Sequence, residues 1–116
     1  LMTYVDCFMA AVPEANKAAY LAQAKMMAGM MKEYGALSVT ECWGVDVPEG
    51  KKTSMHLAVM READEGIVFS WVTWPSKTVR DAAWAKLESD ERMQGMEMPF
   101  DGARLIFGGF ETMLEA

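Results

Sequence analysis

Several features that mark common enzymes are missing from this sequence. It contains no glycine-rich nucleotide loop, no serine nucleophile elbow and no cysteine–histidine set at zinc-binding spacing. We therefore predict no cofactor and no metal ligands. His56 is the only histidine, and we expect it to be structural or exposed; the alternative is a haem or metal role.

Positive charge is also scarce. Lys and Arg number 11 against 17 Asp and Glu, which gives a net charge of −6, and Lys51–Lys52 is the one adjacent basic pair. Binding to a phosphate backbone or to an anionic membrane surface depends on clustered Lys and Arg. We therefore expect neither nucleic acid nor a membrane as a partner.

Long apolar runs are absent as well. No segment reaches the roughly 18 apolar residues that a membrane-spanning helix needs. Residues 1–6 lack the basic and apolar regions of a signal peptide. Two cysteines without a secretory signal are typical of a reduced protein, so we expect a cytoplasmic location.

Methionine, in contrast, is abundant, with 12 residues among 116. Hydrophobic residues make up 52% and charged residues 24%, an ordinary globular balance. We predict one domain over residues 1–116. Methionine fills irregular gaps in cores and also forms adaptable binding surfaces. Core filling is the simpler interpretation, and an adaptable apolar binding surface is the alternative.

The hydrophobic pattern predicts four strands and two helices. Alternating or β-branched segments predict strands at residues 3–12, 36–45, 66–74 and 103–114. Pro13 is expected to open a helix over residues 14–34, and Ser76 to cap a second helix that ends at about residue 89. Residues 53–62 fit either a short helix or an irregular strand.

The resulting order is β-α-β-β-α-β, a ferredoxin-like α+β arrangement. Right-handed crossovers place both helices on one face of a four-stranded antiparallel sheet. In the usual strand order of this topology, 4-1-3-2, the third strand separates the first from the second. Cys7 and Cys42 then lie roughly 9–10 Å apart, beyond disulfide reach. We predict two free thiols.

The third and fourth strands are apolar on both faces. Ile67, Phe69 and Trp71 alternate with apolar residues of the opposite face, and the segment 103–114 does the same. Two helices cover only one face, and monomers rarely expose a large apolar patch. We predict a homodimer that packs sheet to sheet. The alternative is that residues 46–66 fold back over the open face.

Asp6 and Glu41 are carboxylates inside apolar strands. A buried carboxylate must be paired or have a raised pKa, and such groups serve as general acids or bases. Asp6, in the middle of its strand, is the candidate catalytic residue. The alternative for both carboxylates is an ion pair with Arg80 or Arg104, or simple exposure near a strand end.

Aromatic residues predict an apolar pocket between the sheet and the helices. The predicted lining residues are Tyr4, Glu41, Trp43, Phe69, Trp71 and Phe107. Ser76, at a helix start, and Arg80, one turn later, are the candidate anion-binding residues. Ordinary helix capping and surface pairing of Arg80 are the alternative.

Motifs along the whole chain resemble the YbaA-like family, a group of uncharacterised bacterial proteins. The matching segments include Tyr4-Val5-Asp6, Phe69-Ser70-Trp71, Trp74-Pro75-Ser76-Lys77 and Met98-Pro99-Phe100-Asp101-Gly102. The resemblance implies a dimeric α+β barrel, and it carries no established activity. The chain departs from the family pattern at Met55-His56-Leu57.

These observations lead to one functional hypothesis and two alternatives. The first is a homodimer that binds a small, partly apolar molecule between the sheet and the helices. The resemblance also implies a cofactor-independent monooxygenase-like enzyme, with Asp6 as base, Trp43 and Trp71 as walls and Arg80 as anchor. The third hypothesis is a structural or stress-related dimer without a ligand.

Overall fold

The computed structural model describes residues 3–116, so the first two residues of the predicted domain lie outside it. Within the described residues the strands are β1 (Tyr4–Pro13), β2 (Ser38–Trp43), β3 (Glu65–Trp74) and β4 (Ile106–Glu111). The α-helices are α1 (Lys17–Glu33), the short α2 (Met55–Ala58) and α3 (Lys77–Glu88). All pairings are antiparallel, and the strand order is β2-β3-β1-β4. The predicted fold class and strand order are confirmed.

Several element boundaries differ from the sequence prediction: β2 spans only Ser38–Trp43, and β4 ends at Glu111 rather than at residue 114. Pro13 does not open a helix: it has extended dihedral angles and is the last residue of β1, opposite Glu65. A 3-10 turn, Glu14–Asn16, precedes α1. The start of the predicted fourth strand is also a 3-10 turn, Gly102–Arg104, because the side chain of Asp101 accepts a hydrogen bond from the Ala103 N–H and caps it.

The undecided segment 53–62 contains a helical turn. Ser54 has extended dihedral angles, and its hydroxyl accepts a hydrogen bond from the Leu57 N–H. This is the geometry of a helix N-cap. The helix α2 ends at Ala58, and Met60 then adopts a φ of 52°.

The main core lies between one face of the sheet and the helices α1 and α3. Trp74 is completely buried there and packs with Met30 of α1 and Leu87 of α3. Residues 68, 70, 72 and 74 of β3 point toward the helices, whereas residues 69 and 71 point away. We call the first side the helix face and the second the open face.

The open face is covered at one end. Val59 is completely buried against Met9, Ala11 and Ile67, and Val47 packs on the same cluster. The alternative expectation, that residues 46–66 fold back over the sheet, is therefore correct for this end. The rest of this face exposes large apolar side chains: Phe69 (37% exposed) and Ile106 (42%) lie opposite Met9, and Phe110 (59%) lies toward the other end.

The strand order also accounts for the cysteines. Cys7 lies on β1 and Cys42 on β2, with β3 between them. Both are free thiols, as predicted.

Within residues 3–116, no helix combines the length and the apolar character needed to cross a membrane.

The start of β3 is held to the segment before β4 by a buried ion pair that the sequence pattern did not reveal. Arg104 donates two hydrogen bonds to the carboxylate of Glu65, each 2.7 Å long. Glu65 is only 3% exposed. The Glu62 N–H donates a further hydrogen bond to this carboxylate, at 2.8 Å. Glu65 is thus compensated on both oxygens, as a buried charge requires.

We expect Glu65→Gln to lower the free energy of unfolding at neutral pH by about 3–5 kcal/mol, because it leaves Arg104 without its buried counter-charge and with only the exposed Asp101 as an ionic partner. The Arg104 hydrogen bonds hold the pKa of Glu65 below its usual value. The carboxylate therefore stabilises the fold above the unfolded-state pKa, and this stability is lost as the pH falls through the folded-state pKa.

Urea unfolding at neutral pH and at several acidic pH values measures the loss of stability and its pH dependence. The control is Glu49→Gln, which changes an exposed glutamate. The free energy of unfolding of the wild type should fall as the pH is lowered. That of Glu65→Gln should fall less over the same range, because this variant has no carboxylate at position 65 to protonate. An unchanged unfolding free energy in Glu65→Gln would contradict the structural role of this pair.

Candidate functional site

A large cleft lies between the helix face of the sheet and the helices α1 and α3. Its volume is about 780 Å³. Five methionines and five aromatic residues line it: Met27, Met31, Met93, Met96, Met98, Phe8, Tyr20, Trp84, Phe100 and Phe107. The methionine-rich composition thus serves a cavity wall as well as the core.

The segment 93–105 forms one wall of the cleft and is held in place from α1. The side-chain amide of Gln23 donates a hydrogen bond to the Glu97 carbonyl at 2.9 Å. Asn16, just before α1, donates in the same way to the Pro99 carbonyl, also at 2.9 Å. The rings of Tyr20 and Phe100 pack with their centroids 5.8 Å apart. The wall is therefore an ordered part of the fold.

Asp6 lies on the floor of the cleft and is fully engaged by neighbouring donors. Arg80 donates to both carboxylate oxygens, with its shortest contact at 2.7 Å. The indole N–H groups of Trp74 and Trp84 both donate to Oδ2, at 2.9 and 3.0 Å. Asp6 is 2% exposed. The arrangement joins β1, β3 and α3 through one carboxylate.

This geometry matches the alternative considered for Asp6, an ion pair with Arg80. The hydrogen bonds that Arg80 donates to Asp6 raise the pKa of Arg80 further above its usual value. These bonds occupy both carboxylate oxygens of Asp6, as a buried charge requires. The site therefore does not favour Asp6 as a general base.

The two candidate anion-binding residues are also satisfied within the protein. The Ser76 hydroxyl accepts a hydrogen bond from the Val79 N–H at 3.2 Å, which caps α3. Arg80 binds Asp6 and, through Nη1, Asp81 at 2.9 Å. Capping and internal pairing therefore use the groups that were expected to hold an anion.

A second polar pair lies in the cleft, away from Asp6. The Tyr20 hydroxyl donates to Glu41 Oε1 at 2.6 Å. Glu41 is exposed through the cleft mouth, yet the surrounding protein still desolvates its carboxyl and raises its pKa above the usual value. Burial, followed by the hydrogen bond to Glu41, also raises the pKa of Tyr20. Tyr20 therefore keeps its proton and donates it to the hydrogen bond with Glu41.

Tyr20 was not among the predicted site residues. The sequence carries no signal for a bond between residues 20 and 41, because this bond depends on how α1 lies across β2. Glu41 was predicted as a lining residue, and the structure places it in the cleft.

The remaining predicted lining residues separate into three groups. Phe107 lines the cleft, and its ring stacks on Phe8 at 6.3 Å. Tyr4 is buried in the core beside the cleft rather than in it. Trp43 lies on the helix face but borders a smaller cavity of about 190 Å³.

The predicted positions of Phe69 and Trp71 need correction. Side chains alternate along a strand, and Ser70 and Val72 already face the cleft. Phe69 and Trp71 therefore lie on the open face, where their ring centroids are 6.0 Å apart. They cannot line a pocket between the sheet and the helices.

His56 borders the smaller cavity, where its buried Nδ1 has no hydrogen-bond partner in the structure. Among residues 3–116, no group of three or more His, Cys, Asp or Glu side chains is arranged to hold a metal ion. The structure therefore adds no ligand set around His56.

The sequence matches a family model described as a protein of unknown function (DUF1428) over residues 3–102. A protein of Escherichia coli (strain K12), called "Uncharacterized protein YbaA", is 52% identical over 116 residues, covering 98% of this chain and 99% of that protein. A protein of Shigella flexneri with the same name has the same identity and coverage.

Two solved structures share the fold. A dimeric ferredoxin-like protein from an uncultured marine organism matches with a TM-score of 0.66 at 9% identity, covering 100% of both chains. A protein of Bacillus cereus described as an antibiotic biosynthesis monooxygenase matches with a TM-score of 0.56 at 10% identity, covering 100% of this chain and 98% of that one. At such low identity these likenesses show the fold alone.

We expect Asp6→Asn to lower the free energy of unfolding by about 3–5 kcal/mol at neutral pH, because Arg80 then lacks its buried counter-charge. The control is Asp81→Asn, which removes an exposed partner of the same arginine and should leave the free energy of unfolding nearly unchanged. Guanidinium unfolding followed by tryptophan fluorescence measures both. If the two variants were equally stable, the Asp6–Arg80 pair would not be a main support of the fold.

Proposed function

Because the chain belongs to the DUF1428 family of proteins of unknown function, we propose a function from its own site: a homodimer that binds a small, partly apolar molecule in the cleft. The observation that carries this proposal is the methionine- and aromatic-lined cleft of about 780 Å³. Small-molecule sites are concave, mostly apolar and of roughly 300–1,000 Å³, with a few placed polar groups. The cleft has this size and composition.

The polar groups of the cleft are few and localised. The Tyr20–Glu41 pair offers one hydroxyl and one carboxylate close to the apolar wall. The methionines adapt their side-chain conformations to the shape of a ligand. These features support binding of a molecule with an apolar body and a single polar end.

The homodimer is supported by the uncovered part of the open face. Phe69, Trp71, Ile106 and Phe110 lie in this part, and the covering segment packs only on the rest. A patch of this kind on a twisted sheet is well suited to a second copy related by two-fold symmetry. The ferredoxin-like neighbour is described as dimeric, which agrees with this part of the proposal.

The proposal includes a cytoplasmic location. Cys7 and Cys42 are both free thiols, which suits a reducing, cytoplasmic compartment.

An enzyme is the second candidate, and one observation favours it: the raised pKa of Glu41 inside the cleft is typical of an acid–base group. In that case Glu41, rather than Asp6, is the candidate base. Binding is the first proposal because it requires only the cleft.

We expect Ala28→Trp, which adds a large side chain to the cleft wall, to weaken binding of the neutral fluorescent probe N-phenyl-1-naphthylamine at least about tenfold by filling its space. Ala22→Trp, on the exposed side of α1, is the matched control and should bind like the wild type. Fluorescence titration measures both. If Ala28→Trp bound the probe as tightly as the control, the probe would lie elsewhere.

We expect Phe110→Glu to weaken dimerisation at least about tenfold, because it buries two carboxylates in an apolar interface. Leu21→Glu replaces an exposed apolar residue of α1 (49% exposed) and is the control. Native mass spectrometry of freshly purified protein reports the mass of the assembly and of any bound molecule. A monomeric wild type would refute the dimer, and a dimer whose cleft binds no small molecule would favour a structural role.

A further inference from the structure

The charged side chains of the cleft are nearly all of one sign. Five charged residues line it: Asp6, Glu41, Arg80, Asp81 and Glu88. Four are carboxylates and one is a guanidinium. A ligand in this cleft therefore meets a negative electrostatic environment, which attracts positive and repels negative groups.

The charge of the single cation in the lining is already balanced by two carboxylates. Arg80 directs Nε and Nη2 to Asp6 and Nη1 to Asp81. Lys77, the nearest lysine of the same helix, is paired with Asp81 at 2.7 Å. An anionic ligand at Arg80 would therefore lie beside two carboxylates that already balance this charge.

Two carboxylates of the lining, by contrast, have no cationic partner among residues 3–116. Glu41 accepts one hydrogen bond, from Tyr20 to Oε1. Its Oε2 accepts none within this range, and Glu88 forms no ion pair there. Glu41 thus offers a negative oxygen toward the cleft. The Tyr20 hydrogen bond holds this carboxylate in one orientation.

The aromatic wall complements such a charge. Trp84 lines the cleft, and its indole N–H is bound to Asp6 at 3.0 Å, which sets the orientation of its ring. Phe8 packs beside it with ring centroids 6.2 Å apart. Aromatic faces attract ammonium groups through their negative quadrupole.

We infer that the cleft selects apolar molecules that carry an amine over their anionic counterparts, with Glu41 as the residue that binds the ammonium group. This inference rests on the proposed binding function and specifies its ligand class. Carboxylate, ordered hydroxyl and aromatic rings together form a site for a cation attached to an apolar body. Because Arg80 is already paired with two carboxylates, the lining keeps a net negative charge that disfavours an anion.

Three compounds with the same apolar body test the inference: naphthylmethylamine, naphthylmethanol and naphthoate, which are cationic, neutral and anionic at neutral pH. Isothermal titration calorimetry at low salt gives the affinity of the wild-type protein for each. We expect the amine to bind about tenfold more tightly than naphthoate, with the alcohol between them.

Glu41→Gln keeps the size of the side chain and an acceptor for Tyr20 while removing the charge. It should lower the preference for the amine over naphthoate to about threefold or less. Glu97→Gln removes a carboxylate of the neighbouring wall that does not line the cleft, and it should keep the wild-type preference. Circular dichroism verifies that both variants are folded.

The outcomes separate the inference from the function on which it rests. If naphthoate binds as tightly as the amine, the charge preference is refuted while the binding function stands. If the preference survives unchanged in Glu41→Gln, Glu41 is not the ammonium-binding residue. If the wild type binds none of the three compounds, the binding function fails and the inference with it.

Discussion

The buried carboxylate of Asp6 is the interaction on which the arrangement of sheet and helix depends. It accepts hydrogen bonds from Arg80, Trp74 and Trp84, and so connects β1 with β3 and α3. Each donor also needs this acceptor, because an indole N–H or a guanidinium beside the core is costly without one. The network fixes the position of α3 over the sheet, and with it one wall of the cleft.

The same network explains the electrostatic character of the cleft. Since Arg80 is committed to Asp6 and Asp81, the only guanidinium of the lining is used for structure. Glu41 is left as the group that faces a ligand, and Tyr20 orients it. A structural ion pair on one side of the cleft and an uncompensated carboxylate on the other thus have one origin. The family and the fold do not reveal this division of roles, because a family of unknown function assigns no residues and distant neighbours share only the fold.

The two faces of the sheet are both apolar, and they are covered in different ways. The helices cover one face and leave a methionine-lined cleft there. On the other face the segment that contains Val47 and Val59 covers only the end near Met9, and Phe110 at the other end stays exposed. An apolar sheet with one half covered by its own chain leaves a limited area for a second copy, which is the basis of the proposed dimer.

The sequence alone was sufficient for the fold class, the strand order and the two free thiols. These depend on local hydrophobic periodicity and on topology rules, which act over short stretches of chain. It also identified Asp6 and Glu41 as unusual strand carboxylates and named Arg80 as a possible partner. It could not assign Phe69 and Trp71 to the open face, because apolar residues on both sides of β3 remove the alternation that would distinguish the faces.

Only the tertiary structure decided which carboxylate is satisfied and which is available. Asp6 meets donors from residues 74, 80 and 84, and Glu41 meets the hydroxyl of Tyr20. Such contacts depend on how each helix lies across the sheet, and side-chain type at a single position does not determine that. The buried pair of Glu65 and Arg104 has the same origin: residues 39 positions apart become partners only after the sheet has formed.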